Sequence, residues 1–136
     1  MEWLRVDDLV AINRWTVEAT QEPHQLLSQG ALESGLNRGR NLNAYEDVED
    51  IAILAAEIVY GIAKAHAFLQ GNKRTAFHGM TAFLELNGWM PAHEAVWPVE
   101  PSKLVIQLIT GEIDVRRFAD HIRPRLIRLP EPTGLS

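Results

Sequence analysis

One stretch of the chain gathers residue types that do chemistry: His66-Ala67-Phe68-Leu69-Gln70-Gly71-Asn72-Lys73-Arg74-Thr75-Ala76. A histidine is a general acid or base near neutral pH. Gly71 permits a left-handed backbone or the close approach of a ligand. Asn72 can cap a helix or donate to a phosphoryl oxygen. Lys73 and Arg74 then put two cations in the opening turn of a helix, where positive charge opposes the helix dipole. A bound anion resolves that conflict, because the free N–H groups of a helix N-terminus and both cations attract it. The spacing therefore reads as a base, His66, beside a phosphate cradle, Gly71, Asn72, Lys73 and Arg74. Phe68 anchors the loop in the core. Taken singly, a core histidine, a Gly-Asn turn and a solvated Lys-Arg pair are all ordinary; together, between two helices, they point to a site.

Two helices must position that loop. Before it, Val48, Ile51, Ala52, Ala55, Ile58, Val59, Ile62, Ala63 and His66 recur at helical spacing over about five turns. This places His66 on the inward stripe, and Glu46, Asp47, Glu49 and Asp50 in the first turn, where carboxylates complement the dipole. After the loop, Ala76, Met80, Phe83, Leu84 and Asn87 share an inner face. Asn87-Gly88 is a stop signal, with Gly88 able to take the left-handed conformation.

The remaining elements read as shorter helices. Val6 to Ala19 is one, with Leu9, Ile12 and Trp15 as core positions. Ser28–Leu36 is a short helical turn, followed by a loop at Asn37–Asn43. Trp89–Pro101 holds three prolines and is expected to be extended or irregular. Pro101–Thr110 is a helix ended by Gly111. Asp114 caps a last helix with Val115, Phe118, Ala119 and Ile122 facing inward, and Pro124 disturbs or ends it. No strand stands out, so the fold class is all-α. One domain is expected over 1–129, with a flexible tail at 130–136.

Composition narrows the function classes. The chain has 136 residues, 46% of them apolar, enough for a core, and no cysteine. Thiol nucleophiles, structural zinc sites and disulfides are thereby excluded. The N-terminus lacks a basic segment leading into an apolar run, and no apolar stretch approaches the roughly 20 residues a membrane span needs. A soluble cytoplasmic protein is expected. The net charge of −5 argues against direct nucleic-acid binding, which runs on phosphate neutralisation. Arg116, Arg117, Arg123, Arg125 and Arg128 crowd the C-terminal region as solvated faces or a dock for an acidic partner. His24, His78, His93 and His121 show no metal-ligand spacing. The four tryptophans read as core or rim.

The segment from His66 resembles the signature of the Fic/Doc family, His-x-Phe-x-acid-Gly-Asn-x-Arg. Gly71-Asn72-Lys73-Arg74-Thr75-Ala76 is similar to its death-on-curing branch. The likeness extends to Gly30-Ala31-Leu32-Glu33-Ser34, Tyr45, Ala55-Ala56-Glu57 through Ala65 and Leu84-Glu85-Leu86-Asn87-Gly88. It implies a compact helical bundle in which two central helices flank the motif loop. It also implies His66 as the base for a target hydroxyl, with the Gly71 backbone, Asn72, Lys73 and Arg74 on the phosphates. AMP-transferring members carry a second arginine three positions after Arg74, where this chain has Phe77. The death-on-curing branch also lacks it, and resemblance to that branch implies transfer of the γ-phosphate of ATP to a threonine of elongation factor Tu, stopping translation. A Phd-like antitoxin would block the toxin with a helix, and Asn37–Asn43 becomes a candidate target-docking flap. Gln70 departs from the pattern: it replaces an acid that helps hold Mg²⁺, and its carbonyl can ligate a hard cation only without charge. AMP transfer, or a catalytically impaired nucleotide- or partner-binding module, is therefore the alternative. A third reading is a toxin–antitoxin subunit that acts on DNA through its partner.

Overall fold

The computed structural model describes residues 1–92, 97 and 99–130. The rest of the Trp89–Pro101 stretch, His93 included, and all but the first residue of the expected tail at 130–136 lie outside the described residues. Six helices follow in order: α1 (Val6–Glu18), α2 (Gln29–Glu46), α3 (Ile51–Ala65), α4 (Asn72–Leu86), α5 (Pro101–Thr110) and α6 (Val115–Ile122). Two three-residue strands, β1 (Trp89–Pro91) and β2 (Leu126–Arg128), pair antiparallel with Met90 opposite Ile127. That small ribbon is the one strand pair among the described residues. The helical class expected from periodicity holds.

The sequence of α3 has almost no polar face to give to solvent, and the helix runs through the centre, packed by α2, α4, α5 and α6. Its apolar residues are buried all round rather than along one stripe. Its start differs from the expectation. None of the four acids lies in its first turn: Glu46 closes α2, Asp47 turns left-handed at φ 53°, and Asp50 is the N-cap. The Asp50 carboxylate accepts from the N–H groups of Ala52 (2.9 Å) and Ile53 (3.4 Å), satisfying donors that the helix start leaves free. It also receives Arg123 at 2.7 Å, from the end of the chain. Burial opposes ionisation of Asp50, but Arg123 and the two amides outweigh it and hold the carboxyl below its ordinary value.

α2 corrects a second expectation. Ser28 caps it by accepting from Ala31 N–H at 3.1 Å, but the helix does not stop at Leu36. It continues through Asn37–Asn43 to Glu46, so the proposed loop, and a flap made from it, is not there. Gly35 and Gly39 are buried within α2. A Cβ on Gly35 would stand 2.5 Å from the Gly61 carbonyl oxygen of α3, and one on Gly61 would strike the Gly35 carbonyl. The close backbone crossing offsets the poor helix propensity of glycine.

In α1 the inward face is turned from the one apolar residues suggest. Leu9, Asn13, Thr16 and Val17 are buried, whereas Ile12 is half-buried and Trp15 is 63% exposed. The inner face of α4 is Thr75, Ala76, Gly79, Met80, Phe83 and Leu84. Asn87 is its C-cap instead, with its carboxamide donating to Phe83 O and tying down the Glu2 backbone. Gly88 follows at φ 82°, in the left-handed conformation its position called for. α5 ends at Gly111 as expected, also left-handed at φ 81°. Asp114 caps α6 by accepting from Arg117 N–H at 2.8 Å, and Arg123-Pro124-Arg125 tightens to a 3₁₀ turn. Three of the C-terminal arginines are used inside the fold. Arg123 pairs with Asp50 and Asp120, Arg125 stacks on Trp97, and Arg128 stacks on Trp89. No helix among the described residues is long and apolar enough to cross a membrane.

The Gly35–Gly61 crossing generates a test. Gly61→Ala inserts a methyl into backbone with no room to yield, and about 1–3 kcal/mol of stability should be lost, read as a lower urea unfolding midpoint. An equal midpoint would show that the helices separate freely.

Candidate functional site

α3 ends at Ala65, and His66 is its C-cap in the left-handed conformation, φ 46° and ψ 41°. For a residue with a Cβ this conformation costs about 1–2 kcal/mol. The turn swings the side chain out of the buried stripe, so His66 is exposed rather than inward-facing. The apolar periodicity ran one residue past the end of the helix that produced it.

The loop from Ala67 to Gln70 is irregular backbone that starts buried, at Ala67 and Phe68, and emerges at Leu69 and Gln70. Such backbone needs hydrogen-bond partners. The segment after α1 supplies some. Leu27 N–H (2.6 Å) and Ser28 N–H (3.2 Å) donate to Ala67 O, and Leu69 N–H donates to Gln25 O at 3.0 Å. Asn72 serves Phe68: its Oδ1 accepts from Phe68 N–H at 3.0 Å and its Nδ2 donates to Phe68 O at 2.7 Å. The side chain of Asn72 is thus spent on closing the loop, and what it offers a ligand is its backbone N–H at the start of α4. Phe68 is the loop anchor, 2% exposed. Gly71 is required twice. Its φ is 75°, and a Cβ there would lie 2.9 Å from Val17 Cγ1.

Lys73 is exposed and makes no hydrogen bond or ion pair among the described residues. Arg74 is held by a pair of residues that no sequence spacing had singled out. Its Nη1 donates to Thr20 Oγ1 at 3.1 Å and its Nη2 donates to Glu22 Oε1 at 2.6 Å. Thr20 Oγ1 also donates to Glu22. The bonds from Thr20 and then Arg74 hold the Glu22 carboxyl below its ordinary value. The only sequence signal was an acid placed just beyond α1.

These elements enclose a cleft of 530 Å³. His66, Leu69 and Gln70 form one wall and Gly71 to Arg74 the floor. Phe77 and His78 continue along α4, and Pro101, Ser102, Val105 and Ile106 of α5 close the far side. The contribution of α5 was not legible in the sequence. His78 packs and borders the cleft at once: its ring meets Trp15 edge-on at 5.1 Å. Burial, and then the charge of Arg74, pushes its pKa down and favours the neutral imidazole.

The lining includes no carboxylate among the described residues. Mg²⁺ is ordinarily held by one or two carboxylates together with substrate phosphates. The residues present do not make a site for Mg²⁺ of that kind, since Gln70 offers a neutral carboxamide alone. The electrostatics instead suit an anion, with two cations and the free N–H groups at the start of α4 facing one space.

The Fic/DOC family model matches residues 3–84, which contain α1 to α4 almost entirely and the whole motif loop. The protein kinase Doc of Escherichia phage P1 is 27% identical over 123 residues, which cover 90% of this chain and 94% of that protein.

The surroundings of His78 predict its titration. Its ring resonances should move with a midpoint below 6.5 in an NMR pH series. Arg74→Ala, which removes the repelling cation, should raise that midpoint without restoring it fully, because burial remains the larger cause. A midpoint at or above 6.5 in the unmodified protein would contradict the placement of the ring.

Proposed function

The chain belongs to the Fic/DOC family, and from that premise we propose that it is a Doc-like toxin transferring the γ-phosphoryl group of ATP to a Ser/Thr hydroxyl of a protein target. The observation that carries this reading is the shared cleft: exposed His66 and the cationic start of α4 face the same space. In the proposed step, His66 accepts the proton of the target hydroxyl. The hydroxyl oxygen forms a bond to the γ-phosphorus as the bond to the bridging oxygen of ADP breaks. Lys73, Arg74 and the N–H groups opening α4 balance the charge on the phosphoryl oxygens.

The target belongs to the same proposal: a translation factor such as elongation factor Tu, whose modification arrests growth. So does the partner, a Phd-like antitoxin that covers the site. Phe77 supports γ-transfer over AMP transfer, since an apolar ring lines the cleft where a second arginine would stand.

A second reading is favoured by one observation, the absence of a carboxylate from the described lining. It is a nucleotide- or partner-binding module with impaired turnover. ATP labelled at the α or the γ position, incubated with the protein and a cell extract, separates the readings. Label should pass to protein from the γ position only, and His66→Ala should slow it by about 10²–10⁴-fold. Label from the α position would make the activity AMP transfer. Nucleotide binding without transfer of either label would favour the second reading.

A further inference from the structure

Asn13 lies on α1, far in sequence from the motif loop, and is fully buried. A carboxamide in the interior must use its donors and its acceptor or destabilise the fold. Here all are used, and on three separate pieces of the site. Its Nδ2 donates to Gln70 O at 2.8 Å, on the loop, and to Thr75 Oγ1 at 2.9 Å, in the first turn of α4. Its Oδ1 lies 2.8 Å from His24 Nδ1.

The carbonyl of Gln70 fixes which end of the amide is the donor, because a carbonyl oxygen can only accept. The Oδ1 end must then receive a proton from His24, so His24 carries its proton on Nδ1. The His24 ring also lies against Phe68, 6.2 Å between centroids. His24 opens the segment whose backbone bonds Ala67 and Leu69. The three strands of chain that shape the cleft floor therefore meet on one side chain that does not itself border the cleft.

We propose that Asn13 is a positioning residue for the transfer reaction. It sets the Gln70–Gly71 backbone and the start of α4 relative to His66, and His24 orients it. The proposal rests on the functional reading above for its kinetic consequence, but not for its structural one. Misplacing a cradle relative to a base weakens the alignment of the reacting atoms more than the affinity for nucleotide.

The test uses Asn13→Ala and Asn13→Asp in the full chain, the latter keeping the size and removing the donors. Amide exchange of Phe68 and Leu69 should accelerate by about tenfold or more in both, while that of Val59 in α3 stays as in the unmodified protein. Nitrogen shifts of the His24 imidazole should show an Nδ1–H ring before the change and loss of that tautomer in Asn13→Ala. With ATP, kcat should fall by about tenfold or more, with KM within about threefold. If Asn13→Ala does not fold, His24→Phe removes the orienting donor and keeps a ring on Phe68; it should speed exchange at the same two amides. Unchanged loop exchange, equal acceleration at Val59, or an Asn13→Asp protein that behaves like the original would overturn the proposal. If the original protein transfers no phosphate, the functional reading fails, and the exchange and tautomer results still decide the role of Asn13.

Discussion

Four residues of irregular backbone link α3 to α4, and where Ala67 and Phe68 are buried their peptide groups have to find partners away from water. Most of the site follows from how that constraint is met. Asn72 takes both polar groups of Phe68, the Gln25–Ser28 segment takes Ala67 and Leu69, and Asn13 takes Gln70. The loop is rigid because it is satisfied from three sides. Rigidity of this kind lets a catalytic group and a binding group hold one geometry while neither is locked by direct contact with the other.

The constraint also explains the residues that break local rules. His66 takes a left-handed cap and Gly71 a second left-handed turn, so the chain leaves α3 and re-enters α4 within a short span. The strain at His66 is modest, and it places an ionisable side chain at the rim instead of in the core. α4 begins with Lys73 and Arg74, an arrangement unfavourable to the helix alone. The fold answers it locally by seating Arg74 on Thr20 and Glu22. An anion in the cleft would meet the exposed Lys73, a guanidinium already oriented by those two residues, and free N–H groups.

Around this centre the scaffold is built for close approach. α3 is buried except along Glu57, Tyr60 and Lys64 and at its ends, and α2 reaches it through Gly35 and Gly61 at backbone contact distance. α5 supplies the far wall of the cleft, and three of the C-terminal arginines, Arg123, Arg125 and Arg128, spend their charge on Asp50, Asp120 and two indole rings. Arg116 and Arg117 stay exposed, while within the cleft the positive charge lies at the opening turn of α4.

The sequence by itself determined what depends on neighbouring residues. Stops at Gly88 and Gly111 follow from the need for positive φ, and the cap at Asp114 from an N–H within its reach. The motif loop was legible as a base followed by a cationic helix start, because that combination is local. Tertiary structure decided whatever depends on which surface faces which. Trp15 was a core candidate by hydrophobicity, but the inner face of α1 looks onto loop backbone, so a polar Asn13 belongs there and the indole does not. Asn37–Asn43 reads as a loop from its glycine and asparagines, but it continues α2, with Gly39 buried on the face toward α3. Asn13, His24, Thr20, Glu22 and α5 entered the site, or its support, through contacts between segments far apart in the chain. Hydrogen-bond partners across such distances leave no periodic trace in sequence.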